Sequence, residues 1–139
     1  MQKLERKETY IPDTIFNLML DNKEEFILDG DSIKLSSMRY RTFLNKGIKC
    51  VVCGIEGKYF AKERHYKVNK VKKNKKIISK KRVTNDKAPY HLNLYAIDDK
   101  GEEVLMTKDH IIPKSKGGSE KLDNMQTMCT FCNCEKDNK

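Results

Sequence analysis

TKDHIIPKSKGG, residues 107–118, determines how this sequence is interpreted. It completes an alternating segment, EVLMTK at 103–108, and ends in a polar, glycine-containing loop. The pattern predicts a strand that stops near Asp109 and His110, just before the loop. Because neighbouring residues of a regular strand point to opposite faces, these two side chains can serve one site only if the strand ends or bends there.

The flanking sequence extends this strand into a small antiparallel unit. YHLNLYAI at 90–97 alternates in character, and Asp99-Lys100-Gly101 provides a turn before EVLMTK, which together predict a β-hairpin. Residues 124–128 can form a short third strand, and a terminal helix is expected from Thr130 onward. The expected class is α+β.

Five cysteines include two C-x-x-C pairs, Cys50/Cys53 and Cys129/Cys132. In a reducing compartment such pairs are typical of metal ligands rather than disulfides, and two pairs complete the tetrahedron that structural zinc prefers. Seventy-five residues separate the pairs, so the spacing alone does not prove a shared ion. A redox C-x-x-C would require a βαβ setting, which the sequence does not show. Cys134 is expected to be a free thiol, with an alternative ligand role left open.

Taken in order, DHIIPKSKGG, Leu122-Asp123-Asn124 and Cys129-x-x-Cys132-Asn133 closely resemble the HNH endonuclease family. The resemblance is detailed over 104–136, extends in outline over about 48–138, and indicates the His-Asn-Asn variant of the ββα-metal (His-Me finger) module. It implies that Asp109 and Asn133 bind a catalytic divalent ion and that His110 is the base. It also implies that Asn124 holds the loop and orients His110, and that the helix and hairpin approach the minor groove.

Elementary chemistry supports these residue types independently. Imidazole titrates near physiological pH and suits a base that activates water, while carboxylate and amide oxygens suit Mg²⁺ or Mn²⁺. Each residue alone has an ordinary structural explanation, such as a turn or a helix cap. His65 and His91 are interpreted in that ordinary way.

The charge of the chain is concentrated in one stretch. Residues 58–82 hold twelve Lys or Arg and one acid, Glu63, whereas the remainder holds seventeen basic and nineteen acidic residues. A stripe of this kind favours a polyanion, although a solvated lysine-rich loop that binds nothing in particular is the alternative. Its apolar residues are too sparse to predict more than a loop or a protruding hairpin. The residues expected to contact nucleic acid are Arg39, Arg41, Lys58, Lys62, Arg64, Lys67, Lys70, Lys72, Lys73, Lys75, Lys76, Lys80, Lys81, Arg82, Lys114 and Lys116.

The remaining expectations concern organisation and setting. Residues 1–47 are expected to be a helical N-terminal extension, with helices starting near Pro12 and near Ser36 or Ser37, and 48–139 the nuclease domain with a basic insertion at 58–88. No secretory signal or membrane-spanning run is evident, so a cytoplasmic protein is expected, in the host cytoplasm if it is phage-encoded.

Three functions fit the sequence. The first is a phage or mobile-element endonuclease that nicks or cleaves double-stranded DNA, as a monomer, a homodimer or part of a larger phage or host complex. The second is a zinc-stabilised nucleic-acid-binding module without activity. The third is an RNA-directed nuclease or toxin, because phosphate binding alone does not distinguish the two polymers.

Overall fold

The computed structural model describes residues 2–21, 23–83 and 88–137. Within these ranges, the side chains of residues 2, 3, 67–72, 78–83 and 137 lie outside the description. In chain order the elements are β1 (Gln2–Tyr10), α1 (Pro12–Met19), β2 (Glu25–Leu28), β3 (Asp31–Lys34), α2 (Met38–Lys46), β4 (Gly57–Lys73), β5 (Lys76–Val83), β6 (His91–Ile97), β7 (Glu103–His110), β8 (Met125–Cys129) and α3 (Thr130–Asp137).

Six strands form one antiparallel sheet. Its order is β1-β4-β6-β7-β8, and β5 pairs with the distal part of β4. β2 and β3 form a separate hairpin. The predicted hairpin of β6 and β7, the short strand β8 and the terminal helix α3 are all confirmed, as is the α+β class.

The core lies between one face of the sheet and the N-terminal elements. Alternate sheet residues such as Phe60, Leu92 and Met106 are fully buried, and they join one cluster with Ile15 of α1 and Phe43 of α2. Burial of large apolar side chains of this kind contributes roughly 1.5–3 kcal/mol each. Residues 2–47 and the rest of the chain therefore share a single hydrophobic core.

The N-terminal segment is only partly as expected. Its two helices are present, and α2 follows Ser37 and ends before Gly47, which has a φ of 96°. Three strands were not expected, and β1 joins the main sheet beside β4. A division of the chain at residue 47 stays a prediction.

The expected basic insertion is also partly different. Its first part, through Tyr66, belongs to β4 and pairs with β1 and β6 in the sheet, so Phe60 and Lys62 are buried rather than looped out. The rest, from Lys67 to Val83, is the protruding hairpin, which was one of the two alternatives considered.

Candidate metal centre and nuclease site

The four cysteines of the two C-x-x-C pairs converge. Their Sγ atoms all lie within 4.8 Å of one another, which groups Cys50, Cys53, Cys129 and Cys132. The Sγ atoms of Cys53 and Cys129 are 3.8 Å apart. A tetrahedral site with zinc–sulfur bonds of about 2.3 Å places its sulfurs about 3.8 Å apart. The four residues are thus positioned as one metal site, and the predicted sharing is confirmed.

The local backbone structure at each pair places its sulfurs close to those of the other pair. Cys50 and Cys53 lie on a tight loop after α2, where the amide of Val52 donates to Sγ of Cys50 at 3.4 Å. Cys129 ends β8, and the amide of Cys132 donates to its Sγ at 3.5 Å. Amide donors of this kind stabilise thiolates. The first loop is fastened to β8 because the amide of Val51 donates to the carbonyl of Thr127 at 3.0 Å.

The protonation of the cluster fits a cation site. Burial raises the pKa of the Cys50 thiol, but amide donors at Cys53, Cys129 and Val52 outweigh it and bring this pKa down to about 6. Burial and the neighbouring thiols raise the pKa of Cys132, and burial raises that of Cys129. One thiolate therefore suppresses ionisation of the next, and a bound cation would relieve that repulsion. Cys134 is exposed and lies outside the cluster.

At the other end of the β7–β8 pair lie Asp109 and His110. β7 continues through His110, which pairs with Met125, so the strand does not bend before it. The two side chains accordingly have different partners. Oδ2 of Asp109 accepts a hydrogen bond from Nζ of Lys136 on α3 at 2.6 Å. Nε2 of His110 lies 3.0 Å from Oε1 of Glu120 on the following loop.

α3 lies along β7 on the side of Asp109. Nδ2 of Asn133 donates to Oγ1 of Thr107 at 3.0 Å, two residues before Asp109 on the same strand face. Asn133 and Lys136 are three apart and share a helix face. The amide of Asn133 and the carboxylate of Asp109 therefore belong to one strip of contact between α3 and β7.

Asn124 fixes the loop that follows His110. Its Oδ1 accepts from the amide of Ile112 at 2.9 Å, and its Nδ2 donates to the carbonyls of Ile112 at 3.1 Å and Ser119 at 2.7 Å. Its carbonyl accepts from the amide of Ile111 at 2.8 Å. The loop-holding contacts expected of Asn124 are present. The expected direct contact with His110 is not, because the side-chain amide is used on the loop backbone.

The two glycines of the loop are required for different reasons, Gly118 by close approach and Gly117 by its positive φ. A Cβ added to Gly118 would lie 1.8 Å from the carbonyl oxygen of Ile112. In the native loop, the amide of Gly118 donates to the carbonyl of Pro113 at 3.0 Å. Gly117 has a φ of 87° and follows the short 3₁₀ helix at 114–116. The PKSKGG sequence thus closes the loop beside His110.

Two contacts of this site were missed by sequence reasoning. Glu120 and Lys136 are long charged side chains from a loop and a helix, and nothing in their local sequence marks them as neighbours of His110 and Asp109. The three-residue spacing from Asn133 to Lys136 was the one available signal, since it places both on the helix face that meets β7.

Several of the side chains expected to contact nucleic acid form hydrogen bonds within the protein. Lys62 is fully buried, and its Nζ donates to Oδ2 of Asp31 at 2.7 Å and to the carbonyl of Leu28 at 2.9 Å, so the expectation that it reaches a phosphate is wrong. Arg39 donates to Oδ1 of Asn93 at 3.1 Å and to the carbonyl of Leu92 at 2.7 Å. It holds α2 against β6, and its expected contact with a phosphate stays a prediction.

Arg64 is also engaged, since its Nε donates to Oε2 of Glu5 at 2.8 Å, and its guanidinium stacks over Tyr90. The exposed positions among the expected contacts are Arg41, Lys58, Lys73, Lys75, Lys76, Lys114 and Lys116, which stay predictions. The side chains of Lys67, Lys70, Lys72, Lys80, Lys81 and Arg82 lie outside the described residues.

The comparison with protein families agrees with the placement of these residues. Residues 97–139 match the HNH endonuclease family. This HNH segment, residues 97–139, contains Asp109, His110, Asn124 and Asn133 together with the second cysteine pair, so the resemblance seen in the sequence is confirmed. The match of the HNH segment to this family suggests nuclease activity in general. Comparison with curated proteins and with solved structures gives no match.

Within residues 2–21, 23–83 and 88–137, none of the helices combines the length and the apolar character needed to span a membrane.

Proposed function

We propose that this protein is a divalent-metal-dependent HNH endonuclease that hydrolyses phosphodiester bonds of double-stranded DNA and serves a bacteriophage or mobile element. The observation that carries the proposal is the end of β7 in the HNH segment, where Lys136 of α3 donates to Oδ2 of Asp109 at 2.6 Å and to the carbonyl of His110 at 2.8 Å. The catalytic set is His110, Asp109, Asn124 and Asn133.

The proposed catalytic ion is Mg²⁺ or Mn²⁺, held by Asp109 and Asn133. The ammonium of Lys136 lies 2.6 Å from Oδ2 of Asp109, and this contact supports a cation position beside the carboxylate. The amide of Asn133 adds a hard oxygen nearby, which suits the same ions. When bound, the ion would neutralise charge that develops on the phosphate and the leaving oxygen.

The proposed ion of the four-cysteine site is zinc, with a structural role. Four thiolates form a closed tetrahedral set with no open position for a substrate. They join the loop after α2 to the start of α3, so the ion would hold the HNH segment against the preceding part of the chain.

His110 is proposed to remove the proton from the attacking water. A carboxylate can only accept a hydrogen bond, so the contact with Glu120 is made by an Nε2–H group and leaves Nδ1 as the basic nitrogen. Asn124 acts as a positioning residue, because it fixes the backbone at Ile111 and Ile112 directly after His110. The imidazole is thereby held at the edge of the site, where it is partly exposed.

DNA binding is proposed to use exposed basic residues around this end of the molecule. Lys114 and Lys116 lie on the loop between His110 and Asn124, and both are exposed. Cations at these positions would contact phosphates flanking the scissile one. Such contacts would fix the position of the protein on the duplex and would not select a base sequence.

The alternative function is a zinc-stabilised nucleic-acid-binding module without activity. One observation favours it, since Lys136 already neutralises Asp109 at 2.6 Å and the charge of the site is balanced without a divalent ion. Binding alone, however, does not require an acid, a histidine and two asparagines in this arrangement.

The deciding experiment measures nicking of supercoiled plasmid by the purified protein with Mg²⁺ or Mn²⁺. We expect cleavage by the wild type and a loss of about 10²–10⁴-fold in His110→Ala, because a general base contributes rates of that order. The matched control is His65→Ala, an exposed histidine outside the site, which should cut normally. Cleavage by His110→Ala at the wild-type rate would remove His110 from its role. Parallel assays on structured RNA test the RNA-directed alternative.

A further inference from the structure

The distal parts of β4 and β5 form a two-stranded ribbon at residues 67–83, called here the basic ribbon. Its register runs from the pair Lys67–Val83 to the pair Lys73–Lys76. On one edge of β4, β1 pairs only as far as Lys67. On the opposite edge, β6 pairs only as far as Glu63, and β5 pairs from Lys67 onward. Among the described residues, the strands of the ribbon beyond Lys67 therefore pair only with each other, and both outer edges are open.

The basic ribbon carries the entire net charge of the chain. It contains nine Lys or Arg and no acid, whereas the remaining residues contain 20 basic and 20 acidic side chains. The formal net charge of +9 is thus located on one projecting element. Such a concentration attracts a polyanion from a distance and releases counterions when phosphates are contacted.

The register of the ribbon opposes like charges. Lys70 pairs with Lys80, and Lys73 pairs with Lys76. Like charges directly opposite destabilise antiparallel strands, and an isolated two-stranded hairpin is only marginally stable in water. The turn adds a cost, because Asn74 and Lys75 both have positive φ, 52° and 64°. A phosphate backbone along the ribbon would offset the repulsion, so the element is better suited to a bound than to a free state.

The dimensions of the ribbon select one groove of DNA. Seven residues of β4 from Lys67 to Lys73 extend about 20 Å at about 3.3 Å per residue, and paired strands lie about 4.8 Å apart. A major groove about 12 Å wide admits a two-stranded β-ribbon, whereas a minor groove about 6 Å wide does not. We infer that the basic ribbon enters the major groove of duplex DNA and supplies most of the salt-dependent affinity of the protein. This inference rests on the proposed function only for the choice of DNA as the polymer.

The lysines of the basic ribbon could have a different role, and the test must distinguish it from DNA binding. Lysine on open strand edges discourages edge-to-edge pairing between copies of a protein. If that were the whole role, neutralising the lysines would change self-association and leave DNA affinity alone.

The test variant replaces four ribbon lysines by glutamine, at Lys70, Lys72, Lys80 and Lys81. The matched control makes the same charge change at four exposed lysines elsewhere, Lys23, Lys34, Lys46 and Lys100. Circular dichroism melting establishes that both are folded. Affinity for a 30-base-pair duplex is then measured by fluorescence anisotropy over a range of NaCl, without added Mg²⁺ or Mn²⁺.

For the ribbon variant we expect the slope of log affinity against log salt to fall in magnitude by up to about 3.6, because each of the four lost phosphate contacts removes about 0.9. The control should lose less than 1. Equal slopes in the two variants would overturn the inference.

A second measurement identifies the groove. A duplex whose cytosines carry bulky glucosyl groups at C5 fills the major groove, and netropsin fills the minor groove. We expect the wild type to bind the glucosylated duplex at least tenfold more weakly than the unmodified duplex, and the ribbon variant to lose far less affinity. Netropsin should lower the affinity of both proteins equally. Equal weakening of both proteins by the glucosyl groups would exclude the major groove.

The two proposals fail in different ways. A protein that binds through the ribbon without cutting contradicts only the nuclease proposal. A protein that cuts with an unchanged salt slope in the ribbon variant contradicts only the ribbon.

Discussion

The four-cysteine site and the Asp109–His110 site lie at opposite ends of the same strand pair. At one end of β7–β8, Met106 pairs with Cys129, and at the other His110 pairs with Met125. The cysteine end takes two of its four sulfurs from buried residues, Cys50 and Cys129, and it connects segments distant in sequence. The histidine end is partly exposed and is followed by a loop. Stability is therefore expected to depend on one end and reactivity on the other, and substitutions should separate the two.

The largest effect is expected at the cysteine end, from Cys129→Ser. A structural ion held at 1,000 times its dissociation constant stabilises the folded state by about 4 kcal/mol, which is roughly 10 °C in a chain of this size. We expect the melting temperature to fall by at least about that amount and the bound zinc, measured by atomic emission, to be lost. Cys134→Ser is the control, because Cys134 is exposed and outside the cluster. An unchanged melting temperature in Cys129→Ser would show that the fold does not depend on this site.

The HNH segment was largely predictable because its signals are local. Alternation defined β6 and β7, the Asp99-Lys100-Gly101 turn joined them, and the motif fixed the order of Asp109, His110, Asn124 and Asn133. β1 could not be predicted, since QKLERKETY lacks an apolar stripe and becomes a strand by pairing with β4. Its charges are satisfied at long range, as Arg6 shows by binding both Glu63 and Glu103.

Lys62, within the basic stretch, is a second residue whose position could not be predicted from the local sequence. Its sequence neighbours indicate a surface stripe, yet it is fully buried because Asp31, on a separate hairpin, neutralises it. Composition averages over a stretch, whereas burial is decided residue by residue through partners far away in sequence. The ribbon half of the stretch differs in sequence, because it contains no acid.

The next largest effect is expected from Asn124→Ala, which weakens the support of the histidine end. The substitution leaves the amide and carbonyl of Ile112 and the carbonyl of Ser119 without their partner. Because Ile112 and Ser119 are exposed and water can replace the lost partner, we expect a loss of stability of about 0.5–1.5 kcal/mol together with a larger relative loss of cleavage.

Urea denaturation and plasmid nicking measure the two effects of Asn124→Ala separately. Asn45→Ala is the control, because Asn45 is exposed and its amide only donates within α2. If Asn124→Ala lowered stability and left cleavage intact, the loop would not position His110.

A smaller effect is expected from Lys136→Met, which removes the ammonium beside Asp109. The pair is partly exposed, with 34% of Lys136 and 17% of Asp109 accessible, so its contribution is about 0.2–1 kcal/mol. Because a divalent ion must displace this ammonium, we expect Mn²⁺ affinity, measured by calorimetry, to rise by up to about fivefold. Lys121→Met, at an exposed lysine on the loop, should not change it. Weaker Mn²⁺ binding by Lys136→Met would indicate that Lys136 shapes the site rather than competes for it.

The smallest effect is expected from Glu120→Gln at the contact with His110. Glutamine retains an acceptor oxygen at the same position, so Nε2–H of the imidazole can keep its hydrogen bond while the charge is lost. Glu120 is 57% exposed, and exposed charge pairs contribute about 0.2–1 kcal/mol, so the cleavage rate should change by no more than about fivefold, with melting unchanged. Glu120→Ala also removes the acceptor and should lower the rate further, because Nε2–H of the ring then loses its hydrogen-bond partner. Equal rates in Glu120→Gln and Glu120→Ala would show that the loop backbone fixed by Asn124, rather than Glu120, orients His110.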